Sequence, residues 1–375
     1  MKTPDVVVKG RDSGEGMVVH YRTASGTDIY GLGVPNVHVN EDWDLGPTWC
    51  YLILGDKTTL IDAGRSGNFQ ILESLLKEIG KNVSDIDRVI ITHSHDDHDG
   101  NLARLLSQTK AELCAHSIYG QMILYHPEID DGAPHPEMPG SCRHCILPQS
   151  LHKHCLTYQK ERSCLKIDSA IDDDQALPQG MRLIFTPGHS PDSLCIILED
   201  EILFSGDTLL PDITPHPSLV KEFEFNRRIL PERYRNQNTV YGLMNYIKSL
   251  NKIIHLESQP FGATFPAHRL FHQGKFNIIH SSSQRARDII QFHIDRCLDI
   301  LRIAGNVPVG IDAIAVQHFS DSLLKGIGKM MAHNEMTAHL EVMEETCDFR
   351  WAGENKDIVQ PTGSQNFVNV FKTYM

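Results

Sequence analysis

Thr92-His93-Ser94-His95-Asp96-Asp97-His98 packs three histidines and two aspartates into one short stretch, and these are the side-chain types that ligate divalent metals. The preceding Arg88-Val89-Ile90-Ile91 is rich in β-branched residues and reads as a buried strand. Asp99 to Leu106 reads as a turn entering a helix, so the ligands lie on a strand-to-helix loop. His93 and His95 are two apart and face the same way in an extended segment. Asp97 and His98 follow where the chain turns, and they aim at a neighbouring point. One such loop could serve two ions about 3.5 Å apart.

The donors this loop lacks come later. Leu183-Ile184-Phe185-Thr186-Pro187-Gly188-His189 is an apolar strand ending in a turn tipped by His. Ile202-Leu203-Phe204-Ser205-Gly206-Asp207 repeats the arrangement with Asp, and Ala263-Thr264-Phe265-Pro266-Ala267-His268 with His again. Each donor sits just past a strand, where a sheet holds it with little backbone freedom left to lose. Upstream, Met17 to Tyr21 and Ile29 to Gly33 read as short strands. Trp49 to Leu54 and Thr58 to Asp62 read as a hairpin across Gly55-Asp56-Lys57. Ile71, Leu72, Leu75 and Leu76 give Phe69 to Ile79 helical spacing.

With these loops in order, the chain resembles the metallo-β-lactamase-fold hydrolases, including glyoxalase II-like members, over about residues 28 to 272. Leu60-Ile61-Asp62-Ala63-Gly64 matches the first family motif, His93 to His98 the second, His189 the third, Asp207 the fourth and His268 the fifth. The resemblance implies an α/β fold, an αββα sandwich with the metals at one edge. It also implies one ion held by His93, His95 and His189, a second by Asp97, His98 and His268, and Asp207 bridging them. Asp62 is expected to orient the ligand loop, and Asp62, Asp97 and Asp207 are the expected catalytic carboxylates. Arg269, where many relatives carry Gly, points to altered substrate contacts. Flavodiiron relatives usually replace the second His of the loop with Glu; this chain keeps His95, which argues against oxygen or nitric oxide reduction.

Imidazoles and carboxylates without thiolate suit two divalent ions, zinc first, with iron or manganese acceptable to the same donors. Such a pair lowers the pKa of a bound water, making hydroxide available near neutral pH, and polarises a carbonyl or phosphoryl oxygen. The expected activity is metal-dependent hydrolysis of a thioester, lactone or other small acyl substrate, with a coenzyme A ester among the candidates. The alternative is a metal-dependent ribonuclease or phosphodiesterase, and the intact ligand set speaks against a binding protein on a retired hydrolase fold.

The 375 residues, 41% hydrophobic and 22% charged, suit a catalytic domain over 1–275 and a small, mainly helical domain over 276–375. In the second, Ser283 to Ala304, Leu323 to Met331 and Met336 to Met343 have helical spacing. Cys347 to Val370 has strand and turn character. With Thr337-Ala338-His339-Leu340, this tail resembles the winged-helix-type tail of some relatives, β-lactamase-like endoribonucleases among them. From Ser281 onward it holds nine Lys and Arg against twelve Asp and Glu. That balance and the net charge of −13 count against nucleic acid as partner, and a lid over the site or a homodimer contact is the preferred role. The absence of a signal-like or membrane-length apolar run points to a cytoplasmic protein with no membrane partner.

Residues 115–180 form an insertion beyond the minimal fold. It carries Cys142, Cys145, Cys155 and Cys164, with His135, His144, His152 and His154. Cys142 and Cys145 have zinc-knuckle spacing, and two of Cys155, Cys164, His152 and His154 could complete one extra structural zinc site. Buried or free thiols are the alternative. Finally, Arg227, Arg228, Arg233 and Arg235 follow the bridging Asp and could meet an anionic group such as the phosphates of coenzyme A. Glu222, Glu224 and Glu232 lie among them, and a solvated helix face is the blander reading.

Overall fold

The computed structural model describes residues 3–36, 43–124, 157–256, 261–326, 328–352 and 357–375. Eight strands form the first sheet in sequence order: β1 (Asp5–Val8), β2 (Val18–Arg22), β3 (Asp28–Val34), β4 (Thr48–Leu54), β5 (Thr59–Ile61), β6 (Arg88–Ile90), β7 (Glu112–His116) and β8 (Ser169–Ile171). Pairing is antiparallel up to β5 and parallel from β5 to β8. The second sheet is built from β9 (Gln175–Leu177), β10 (Met181–Phe185), β11 (Leu194–Leu198), β12 (Ile202–Gly206) and β13 (Ala263–Pro266), in the spatial order β13-β12-β11-β10-β9.

The period-two alternation of strand side chains decides what each face packs against. Trp49, Tyr51 and Ile53 of β4, Ile61 and Ile90 turn inward onto Leu183, Leu194, Ile196 and Phe204 of the facing sheet. Cys50, Leu52, Leu60 and Val89 turn outward, onto the helix Phe69–Glu78 through Leu72, Leu75 and Leu76. On the far side, Ile184, Cys195, Ile197 and Leu203 are covered by the helix Leu243–Leu256. The result is the expected αββα sandwich. Strands β5 and β6, only three residues each and buried throughout, are hydrophobic on both faces because both are covered.

A short hairpin, β14 (Phe271–His272) with β15 (Lys275–Phe276), leads into the C-terminal region. That region adds the helix Ser282–Ala304, β16 (Val309–Gly310), the helices Ile311–His318 and Gly328–Glu345, the hairpin β17 (Phe349–Ala352) and β18 (Ile358–Pro361), and the helix Asn366–Lys372. Its three-stranded sheet has the order β16-β18-β17. Its apolar residues, Ile290, Ile294, Met336, Leu340 and Phe371 among them, join one cluster with the helix Leu243–Leu256.

Two details depart from the sequence reading. Helical structure is not continuous from Leu323: that segment is a turn whose Leu323 carbonyl accepts the Trp43 indole N–H at 2.8 Å, and the helix begins at Gly328. The final stretch is not strand and turn to Val370 but becomes helical at Asn366. The Asp348 carboxylate accepts the N–H groups of Asn366 and Phe367 at 2.6 and 2.9 Å, satisfying first-turn donors that have no partner within the helix. Phe367 and Phe371, four apart, then share one buried face. Among the described residues no helix is long and apolar enough to cross a membrane.

Candidate metal centre

Strand direction brings the donors together. Strand β11 is antiparallel to both β10 and β12, and β13 is parallel to β12, so β10, β12 and β13 end on the same edge. Those ends carry His189, Asp207 and His268. The parallel pair β5 and β6 ends at Asp62 and at the loop from His93 to His98. The two sheets are clasped at this edge: Trp49 N–H donates to the Ala267 carbonyl at 2.7 Å and Tyr51 OH to the Pro266 carbonyl at 2.6 Å. The turn before His189 requires glycine. Gly188 has φ +130°, and a Cβ there would stand 2.2 Å from the Tyr246 backbone nitrogen.

His93, His95 and His189 present ligand atoms within 4.8 Å of one another, and so do Asp97, His98 and His268. Asp207 lies between the groups. Its Oδ2 is 3.4 Å from His189 Nε2, while Oδ1 is 3.5 Å from His98 Nε2 and 3.4 Å from His268 Nε2. The structure therefore brings together all seven residues expected as ligands. His98 Nε2, His268 Nε2 and Asp207 Oδ1 are buried without a hydrogen-bond partner. Such orphaned atoms are costly unless something coordinates them, so this donor set fits divalent ions.

The ring nitrogens facing away from the cluster are held individually. Asp62 accepts from His98 Nδ1 at 2.8 Å while also accepting the Thr92 backbone N–H and hydroxyl, each at 2.8 Å. His189 Nδ1 donates to the His216 carbonyl at 2.7 Å and His268 Nδ1 to the Pro47 carbonyl at 3.2 Å. These bonds fix ring orientation and tautomer, leaving Nε2 for the centre. Asp62→Ala should consequently weaken metal binding about 10- to 100-fold, measured by titration with a competing chelator. An unchanged affinity would deny Asp62 its orienting role.

Electrostatics divide the centre in two. Burial pushes His93 well below the ordinary imidazole range and His95 down to about 3, so both present lone pairs. Burial would lower His98 and His268 as well, but the carboxylates of Asp97 and Asp207 outweigh it and hold both imidazoles up. Reciprocally, burial would raise Asp207, and His268 and His98 hold it well below the usual carboxylate range. The carboxylates thus call for positive charge at the place where Asp97, Asp207, His98 and His268 meet.

Several supporting residues carried no sequence signal. Asp99, fully buried, accepts from Tyr119 OH at 2.9 Å, from Tyr158 OH, and from Arg162 at 3.5 Å. Arg162 also donates to the Ser94 carbonyl at 3.0 Å, which pins the ligand loop from behind. Burial pushes the Asp99 carboxyl up to about 6. In the tail, His293, Glu335 and His339 form a second buried group with ligand-like spacing. Most of its polar atoms are engaged within the group: Arg296 pairs with Glu335, His339 Nδ1 donates to the Glu335 carbonyl at 2.7 Å, and His339 Nε2 meets His293 Nδ1 at 2.9 Å, while His293 Nε2 is buried without a hydrogen-bond partner. The Glu335–His339 spacing of four was the only trace of it in the sequence.

A cavity of about 390 Å³ opens beside His95 and His189. Arg227, Arg228, Arg233 and Arg235, read as either an anion contact or a solvated helix face, do not line it. Arg233 pairs with Asp173 at 2.7 Å, Arg227 with Glu224 at 3.6 Å, and Arg235 donates to the Leu230 carbonyl at 2.6 Å. Arg269, φ +60°, is likewise a strap to the Asp44 carbonyl and to Asp212 rather than part of the cavity wall. Cys142, Cys145 and Cys155, with His135, His144, His152 and His154, lie outside the described residues. Cys164 is exposed, its thiol 3.7 Å from the Lys160 carbonyl.

Residues 43–268 match the family model described as the metallo-beta-lactamase superfamily. A beta-lactamase-like protein 2 homolog from Drosophila melanogaster is 25% identical over 247 residues, 64% of this chain and 66% of that protein. An atrochrysone carboxyl ACP thioesterase from Cryptosporiopsis sp. is 27% identical over 193 residues, 50% of this chain and 40% of its own. The chain thus spans less than two thirds of either relative. A crystal structure of a metallo-beta-lactamase family protein from Thermus thermophilus superposes with a TM-score of 0.64 at 21% identity, covering 89% of this chain and 98% of that one.

Proposed function

This chain belongs to the metallo-beta-lactamase superfamily of hydrolases, and from that premise we propose that it hydrolyses a small acyl substrate, a thioester first. His93, His95 and His189 would hold one divalent ion, Asp97, His98 and His268 a second, and Asp207 would be shared, with zinc the first choice for this donor set. Bound there, the ions would supply an acidified water and polarisation of the substrate carbonyl. The chain's own residues do the positioning. Asp62 and the carbonyls of His216 and Pro47 lock three imidazoles, and the network of Arg162 and Asp99 keeps the Ser94 backbone, between His93 and His95, from shifting.

The observation that carries the acyl reading is the cavity wall. Met122, Pro191, Leu219, Tyr241 and Met331 give it an apolar lining, and Arg162 is the one Lys or Arg among its described lining residues. That guanidinium is consumed by Gln159, Ser94, Tyr158 and Met122. A nucleic-acid site needs free cations for phosphates, whereas an acyl chain needs apolar wall and exclusion of water. The relative named as an ACP thioesterase supports a thioester among acyl substrates.

The test is a panel of acyl-coenzyme A and acyl-pantetheine thioesters, lactones and short single-stranded RNAs, run on protein of measured metal content. The expected result is about two divalent ions per chain in the centre, turnover of at least one thioester or lactone, and no RNA cleavage. Metal-dependent RNA cutting without esterase activity would reverse the assignment.

A further inference from the structure

The cavity contains one charged group that the positioning network leaves over. Glu222 lines it from the first turn of the helix Val220–Asn226. Its carboxylate lies close to the Leu219 backbone and feels the charge of the adjacent Lys221, but it forms no ion pair among the described residues. The other acidic side chain in the wall, Asp96, is matched by Arg65 at 3.1 Å. Glu341, which would compete for any cation, is engaged by the Val220 and Lys221 backbone N–H groups at 2.8 and 3.1 Å. A carboxylate offers about four acceptor positions, so Glu222 faces the cavity with acceptor capacity unspent. Asn226 and Asn334, one from the same helix and one from the C-terminal helix Gly328–Glu345, line the wall with it.

We infer that Glu222 is a specificity-determining residue whose carboxylate receives a hydrogen-bond donor, a hydroxyl or an ammonium group, at the distal end of the substrate's acyl chain, and that carboxylate-ended acyl chains are rejected. The inference rests on the acyl-hydrolase reading and adds the acyl class. An incoming carboxylate would meet Glu222 with no free Lys or Arg in the described wall to offset the repulsion, because Arg162 is buried and already bonded to Ser94, Tyr158, Met122 and Asp99. An ammonium or hydroxyl would make a charge-assisted bond in a partly dry site, where such bonds are strongest. Burial above all, and then the neighbouring Glu341, push the Glu222 carboxyl up to about 7 against the pull of Lys221, so the titrations are run above that pH, where the carboxylate form dominates. The helix Gly328–Glu345, through Met331 and Asn334, then forms part of the acyl wall instead of a nucleic-acid reader.

The experiment measures binding apart from turnover. Non-hydrolysable pantetheine thioethers with a four-carbon chain ending in methyl, hydroxyl, ammonium or carboxylate are titrated calorimetrically into the metal-loaded protein and its Glu222→Gln variant, and the matching thioesters are assayed for hydrolysis. The hydroxyl and ammonium ligands should bind about tenfold tighter than the methyl ligand, and the carboxylate ligand about tenfold weaker. In Glu222→Gln the ammonium preference and the carboxylate penalty should both vanish, with hydroxyl binding largely kept because the amide oxygen still accepts. Retained binding of the methyl ligand shows that the variant is folded. Equal binding of all four ligands, absence of binding, or a preference that survives Glu222→Gln overturns the inference. A graded binding preference without any thioester turnover overturns the thioester reading alone.

Discussion

Asp207→Ala should cost more than about a hundredfold in kcat/KM, because residues that merely orient ligands already cost 10- to 100-fold and Asp207 stands between both groups of donors. Its two oxygens lie 3.4 to 3.5 Å from His189, His98 and His268, so the substitution deprives both proposed ion sites of one donor. Metal stoichiometry should fall below two per chain, and kcat and kcat/KM should fall together if the shared carboxylate acts only as the transition state forms. The thermal transition of the metal-free variant should stay close to that of the metal-free parent, since the apolar inner faces of the two sheets, not this edge, supply the core. A variant that keeps two ions and parental turnover would remove Asp207 from the centre.

Phe204→Ala should lower folding stability by about 3–5 kcal/mol, the larger of the expected effects on the fold. Phe204 is fully buried between the sheets, its ring 5.1 Å from Tyr51 and 5.7 Å from Phe265. These three side chains come from β4, β12 and β13, which hold the two sheets at the spacing the ligand loops need. The void left by Phe204 has rigid neighbours on strands and little freedom to collapse, which places the cost toward the upper end. Urea unfolding should show a lower midpoint with an unchanged slope. A loss below about 1 kcal/mol would mean that the inter-sheet core repacks freely. Turnover should suffer less than stability at temperatures where the variant remains folded, because Phe204 belongs to the inter-sheet cluster and is not itself one of the seven donors.

The candidate donor set was legible because its signals are local. His93 to His98 lie in one loop, and His189, Asp207 and His268 each end an apolar strand recognisable from its own few residues. Apolar, β-branched runs likewise marked β4, β5 and β6, and helical spacing the helix Phe69–Glu78, since a run or a period can be read one element at a time. Asp62 was marked by the family motif it belongs to, Leu60 to Gly64, although its bond to His98 was not.

What only the tertiary structure decided is which distant residues face the centre and which are already spent. Arg162 lies far along the chain from Ser94 and Asp99, and nothing in its neighbourhood showed that its donors would be consumed behind the ligand loop. The arginines from Arg227 to Arg235 looked available by proximity to Asp207, yet partners at Asp173, Glu224 and the Leu230 carbonyl take three of them. The cavity wall gathers Ser94, Glu222, Tyr241 and Asn334 from four separate segments. Similarly, the end of the chain became a helix because Asp348, on a different element, supplied the acceptors for its first turn. A ligand's identity is carried by its own side chain and its strand-end position. The availability of a charge depends on partners that chain folding alone brings within about 3 Å, and sequence spacing does not encode that distance.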